Sequence, residues 1–172
     1  FVSLVAVTSN KISADQKVKI IADEILVKQS EKSVKATGNA IAINENGSKI
    51  IADLIIYDEN KSLISAEGNV ILNDIEGNTY FFDKLKSDDE FKDLSGTNIS
   101  ARLEDGSRIV SSNLIKKNNV SSLSDSEYTP CLENDYLIKD CPGWKLKAKK
   151  IFQDNESKTI HYDHARIHLF NI

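Results

Sequence analysis

An all-β fold, a curled antiparallel β-jellyroll assembled from ~30-residue two-strand repeats, is what this sequence predicts. Three observations carry the prediction. Two long segments recur at one fixed offset, turn-forming clusters return about every 10 to 15 residues, and no window holds a 3.6-residue apolar stripe over three helical turns. Together they point to about ten to twelve antiparallel strands with virtually no helix.

The repeat organises the whole chain. Ala22-Asp23-Glu24-Ile25-Leu26-Val27 recurs as Ala52-Asp53-Leu54-Ile55-Ile56-Tyr57, and Lys35-Ala36-Thr37-Gly38-Asn39-Ala40-Ile41 as Ser65-Ala66-Glu67-Gly68-Asn69-Val70-Ile71. A weaker copy runs from Phe82-Asp83-Lys84-Leu85 to Ser95-Gly96-Thr97-Asn98-Ile99. A degenerate one begins near Ser112, and a last one runs from Ala148-Lys149-Lys150-Ile151-Phe152 to Ala165-Arg166-Ile167.

Each unit reads as two strands. The first is apolar and β-branched and ends in a polar cluster: Gln29 to Lys32, Asp58 to Lys61, Asp154 to Lys158. Asn and Asp favour such turns because their side chains bond nearby backbone and tolerate left-handed conformations. The second strand ends at Asn44-Glu45-Asn46-Gly47, Asp74 to Asn78, or Glu104-Asp105-Gly106, where Asn-Gly and Asp-Gly supply the positive φ of tight hairpins. Gly38, Gly68 and Gly96 fall inside strands, where glycine marks a bulge or bend that lets a sheet curl.

Ile25, Ile55, Leu85 and Ile151 on first strands, and Ile41, Ile71, Ile99 and Ile167 on second strands, stay apolar in every clear copy. Alternation stacks such positions rung over rung into one interior. A packed sandwich core and a core partly open to acyl chains both fit this pattern.

Composition narrows the function classes. A net charge of −4, with 40% apolar and 28% charged residues, describes a folded chain without the clustered positive surface that nucleic acid requires. Lys145, Lys147, Lys149 and Lys150 alternate in part with Leu146 and Ala148, as one polar strand face does. Residues 1–14 read as the remnant of a secretory signal peptide, and 15–172 as the domain. Phe1 to Val7 as a first strand is the other reading. Cys131 and Cys141 are disulfide candidates in an oxidising compartment and too few for structural zinc.

No catalytic motif emerges. His161, Asp163, His164 and His168 are the only dense group of potential ligands, and in a strand His164 and His168 share one face while His161 and Asp163 take the other. Asp88-Asp89-Glu90 reads as a solvated loop. There is no nucleophile elbow, phosphate-binding glycine loop or HExxH, so no metal, no cofactor and no enzymatic role is expected.

Tyr128-Thr129-Pro130-Cys131, Cys141-Pro142-Gly143-Trp144 and the following Lys145 to Ile151 resemble the end of the periplasmic domain in the LptD family. These are outer-membrane lipopolysaccharide-assembly proteins, also called organic solvent tolerance proteins. The upstream Ala-Asp-x-[Ile/Leu]…Ala-x-Gly-Asn-[Ala/Val]-Ile repeat resembles the OstA-type jellyroll that all periplasmic members of that transport system share. The resemblance spans roughly residues 15 to 172. It implies lipopolysaccharide as ligand, with the eight repeat positions above lining the lumen. It also implies a periplasmic jellyroll bridge protein as partner by edge-strand addition, and a transmembrane barrel with its lipoprotein plug downstream. Leu169-Phe170-Asn171-Ile172 resembles the lead-in to that barrel. The location implied is the cell outer membrane for the full-length protein and the periplasm for this domain.

In the family, two periplasmic-domain cysteines bond a vicinal pair late in the barrel. Cys131 matches the later of them, the earlier is absent, and Cys141 is additional. Cross-domain bridges and a local Cys131–Cys141 bridge both remain open. Two further identities compete: a stand-alone bridge protein of the same jellyroll family, and a structural β-solenoid without lipid ligand.

Overall fold

The computed structural model describes residues 17–130 and 143–169. These form twelve strands and, among the described residues, no helix. The strands are β1 (Val18–Ile21), β2 (Glu24–Lys28), β3 (Ser33–Asn44), β4 (Lys49–Asp58), β5 (Leu63–Asn73), β6 (Thr79–Asp88), β7 (Leu94–Arg102), β8 (Arg108–Lys117), β9 (Val120–Thr129), β10 (Trp144–Asp154), β11 (Thr159–Asp163) and β12 (Arg166–Leu169). All belong to one antiparallel sheet in which β3 to β10 follow chain order. At one edge β1 and β2 both pair with β3; at the other β11 and β12 both pair with β10.

The hairpin turns fall where the polar clusters predict. Asp74 Oδ1 accepts from the Glu76 and Asn78 amides, and Asp154 Oδ1 from those of Glu156 and Ser157. Such side-chain acceptors replace backbone partners that the turn removes from the ladder.

A crease crosses the sheet at mid-strand. Pairing slips between Thr37 and Ala40 on β3, between Ile51 and Leu54 on β4, and between Glu67 and Val70 on β5. Gly38-Asn39 and Gly68-Asn69 hold left-handed backbone at the slip, with φ of 76° and 45°, then 77° and 49°. Each asparagine donates its amide to an aspartate of the neighbouring segment, Asn39 to Asp23 between β1 and β2 and Asn69 to Asp53 on β4, both at 2.9 Å. Asn98 (φ 51°) bonds Asp83 in the same way at 2.5 Å. The Ala-Asp and Gly-Asn halves of the repeat thus form one device, a bulge locked by an Asp–Asn pair.

Gly96 is a correction. It is not the third bulge glycine: it pairs with Leu85 as Ala66 does, and Asn98 carries the positive φ. Its missing side chain makes room for the Phe82 ring, into which an added Cβ would collide.

The crease divides each strand into an upper half, next to the turns at 44–49, 73–79 and 102–108, and a lower half, next to those at 58–63, 88–94 and 117–120. The sheet curls about it. Asn44, on upper β3, donates to the Glu90 carbonyl in the lower β6–β7 turn at 2.9 Å, and Lys17 Nζ lies 3.9 Å from the buried Asp89 carboxylate. In a flat sheet those strands would stand about 14 Å apart. Upper halves therefore cover lower halves several strands further along.

Candidate functional site: an apolar groove between the sheet halves

Two rows of inward side chains run across the sheet without interruption. The lower row passes through Ile25, Ala36, Ile55, Ala66, Leu85, Gly96, Leu114, Leu123, Ile151 and Tyr162, each opposite the next in register. The upper row passes through Ile20, Ala42, Ile50, Leu72, Tyr80, Ala101, Ile109, Tyr128, Leu146 and Ile167. In the lower row, large residues on first strands oppose small ones on second strands as far as Gly96. That alternation lets the curled face close without overpacking.

Closure is complete only around β3 to β5. Ile50, Ile55 and Ile64 are wholly buried there, and so is Val18, paired beside the end of β3. Further along, the two halves part into a groove of about 580 Å³, within the usual range for small-molecule sites. Leu72, Tyr80, Phe82, Leu94, Ile99 and Leu123 line its walls, and Asp74, Glu76, Glu90, Lys92 and Lys116 its rim. Tyr80 is held protonated: burial raises its pKa first, and the Asp74 charge and hydrogen bond add to it. The lower row nearest the rim explains the parting. It reads Val34, Tyr57, Ile64 in the first half, but Lys116, Ser121 and Gln153 further on, which cannot seal an apolar seam.

At both ends of the sheet the inward face is uncovered. Ile25 is 49% exposed although it points inward beside Ala36, and Ile167 is 66% exposed beside Leu146. β2 at one edge, and β11 and β12 at the other, are exposed along their whole length.

Six of the eight residues expected to line the interior point inward: Ile25, Ile55, Leu85, Ile99, Ile151 and Ile167. Ile41 and Ile71 do not. They sit on the outer face, between the buried Ala40 and Ala42 and between the buried Val70 and Leu72. Both belong to apolar runs, in which alternation has no polar phase to report, and beside Ile41 the inward sites hold only alanines. Missed entirely were Tyr80, Phe82, Leu114 and Leu123. Tyr80 and Phe82 were hidden because the inward phase breaks between Phe82 and Leu85, so period 2 from Leu85 leads to the outward Asp83 and Phe81, whereas Leu114 and Leu123 lie in the degenerate copy.

His161, Asp163, His164 and His168 do not converge, and among the described residues no group of three or more His, Cys, Asp or Glu is placed to hold a metal. Asp163 and His164 pair at 2.7 Å at the exposed end of the crease. Lys145 and Lys147 point outward onto Glu127, as a polar strand face should. Asp89 departs from the solvated-loop expectation, being buried beside Tyr57, whose pKa rises through burial first and then this carboxylate. The disulfide readings of Cys131 and Cys141, and the reading of residues 1–14, lie outside the described residues.

No family model matches this chain, and no curated protein matches it. Among solved structures, one similar chain is LptH of Pseudomonas aeruginosa, described as the LptA-homologous periplasmic component of the lipopolysaccharide transport device. The similarity covers 91% of this chain and 96% of that one, at 12% identity and a TM-score of 0.35.

Proposed function

We propose that this chain is the periplasmic jellyroll of a lipopolysaccharide-export protein and that it carries acyl chains between the two halves of its sheet. One observation carries the reading. Two unbroken apolar rows run from edge to edge, part into a groove, and emerge uncovered at both ends. A sheet built only for stability would bury those ends. Each acyl methylene moved from water into such a groove gains about 0.8 kcal/mol, while sugars remain at the charged rim. The work is physical transfer, with no bond made or broken.

The exposed strands β2 at one edge and β11 and β12 at the other each carry an open end of the inward face. Addition of a second jellyroll at either edge continues both rows from one protein into the next. The segment Tyr128-Thr129-Pro130-Cys131 and Cys141-Pro142-Gly143-Trp144 favours the outer-membrane member of the family, whose β12 edge leads into the barrel and its lipoprotein plug. A stand-alone bridge protein differs in meeting another jellyroll there. About ten-residue alternating strands encoded beyond Ile172 mark the first, and their absence the second.

Photo-crosslinking in cells tests the lipid route. Probes at Leu94, Ile99 and Leu123, which line the groove, should capture lipopolysaccharide, and probes at the outward Ile41 and Ile71 should not. Equal capture from both sets removes the case for an inner route.

A further inference from the structure

The outer surface of the upper half carries a second apolar row. Ile21, Ile41, Ile51, Ile71 and Phe81 stand opposite one another on β1, β3, β4, β5 and β6, and Val110 continues the line on β8 after Ser100. Ile21 is 43% exposed, Phe81 45% and Val110 43%. Across seven strands the row extends about 29 Å. The outward face of an antiparallel sheet is normally polar, so such a row marks a contact surface.

Charge flanks the row asymmetrically. Two residues above it on the same face stand Lys19, Lys49, Arg102 and Arg108; on its lower side stand the crease aspartates Asp23, Asp53 and Asp83. No ion pair among the described residues involves any of the seven. Arg102 and Arg108 are directly opposed across β7 and β8, an arrangement unfavourable in an isolated sheet.

We propose that this face pairs with a second copy of the chain about a two-fold axis lying along the apolar row. Rotation about that axis retains position along the row and exchanges its two sides. Apolar row then meets apolar row, while the cations of each copy meet the aspartates of the other: Lys19 over Asp23, Lys49 over Asp53, Arg102 beside Asp83. A two-fold axis parallel to the strands would instead set cation on cation. Three parallel bands ordered cation, apolar, anion are self-complementary in the first arrangement alone. A bilayer surface fits less well, since the aspartate band would be drawn against lipid. Both edges of each sheet stay free, so the pair holds two grooves side by side.

Sedimentation velocity of the 172-residue chain over a concentration series tests this. A monomer–dimer equilibrium that weakens with salt is expected. Ile51 meets its own counterpart on the axis, so Ile51→Lys alone and Ile51→Glu alone should each weaken the dimer roughly tenfold or more, while an equimolar mixture of the two should form a heterodimer. Circular dichroism verifies the strands in each variant. Should either fail to fold, the exposed Lys49→Glu, set against Asp53 of the second copy, must weaken the dimer in its place. A monomeric wild type overturns the proposal. So does self-association that Ile51→Lys leaves intact, which assigns it to the sheet edges, or binding of anionic phospholipid vesicles by a monomeric wild type that Ile51→Lys abolishes.

Discussion

The first five strands and the last five follow the same plan and reach different ends. In the first half the inward sites are apolar except Asn44 at the end of β3, the crease is locked by Asp–Asn pairs, and Ile50, Ile55 and Ile64 are wholly buried. In the second half the crease carries serines instead. Ser111 Oγ donates to the Ser124 carbonyl at 2.6 Å and accepts from Ser126 Oγ at 3.1 Å. The inward rim turns polar at Lys116, Ser121 and Gln153, and the groove opens. Regular repeats close the curl and degenerate ones open it. The decay of the repeat is thus the part of the sequence that makes a binding site.

Core truncations should expose this contrast most strongly. Ile55→Ala removes a side chain enclosed on every side and is expected to cost about 3 to 4 kcal/mol, within the range for buried isoleucines. Leu123→Ala, beside the groove, should cost about 1 to 2 kcal/mol, because solvent or lipid can fill what it vacates. Denaturant unfolding measures both, and equal losses would mean the two halves are equally closed.

The crease gives the next largest difference. Gly68→Ala places a side chain at φ +77° and drives its Cβ into the Asp53 carboxylate. It should lose about 2 kcal/mol or more, given the ~1 to 2 kcal/mol cost of left-handed backbone alone. Gly38→Ala meets Asp23 in the same way, but at the edge, where Asp23 precedes a short strand free to yield. Its loss should be smaller, and a reversed order in thermal melts would show that the edge is the stiffer site.

What was legible beforehand follows the same division. The strands, their turns and the inward phase of Leu85 and Ile99 were readable because polar residues or turns flank them, whereas Ile55, between Leu54 and Ile56, shows no such alternation. Ile41 and Ile71 were misplaced because Ala40 to Ile43 and Val70 to Leu72 are apolar on both faces. Gly96 was matched to Gly68 although it takes the place of Ala66, because this copy is one residue shorter between Leu85 and Asn98. The groove was not legible at all: it arises from which upper half covers which lower half, and strand periodicity carries no such information.

The smallest effect concerns the hinge-side pairing of the open half. Glu127 on β9 receives Lys147 at 2.9 Å and Lys145 at 3.1 Å from β10. Burial pushes its carboxyl up, but the hydrogen bonds and charges of the two lysines outweigh burial and hold it below the usual glutamate value. A depressed pKa in the folded state means that the charged form binds its partners there. The stabilisation is therefore complete above the unfolded-state pKa and disappears as pH falls through the folded value. Partial exposure and solvent screening limit it to about 1 kcal/mol. Glu127→Gln should lose that amount at neutral pH and nothing in strong acid. Hydrogen exchange should quicken in β9 and β10 while β4 and β5 keep their rates, since only the open half relies on this pair. Uniform quickening across both halves would show that the sheet unfolds as one cooperative unit despite its divided interior.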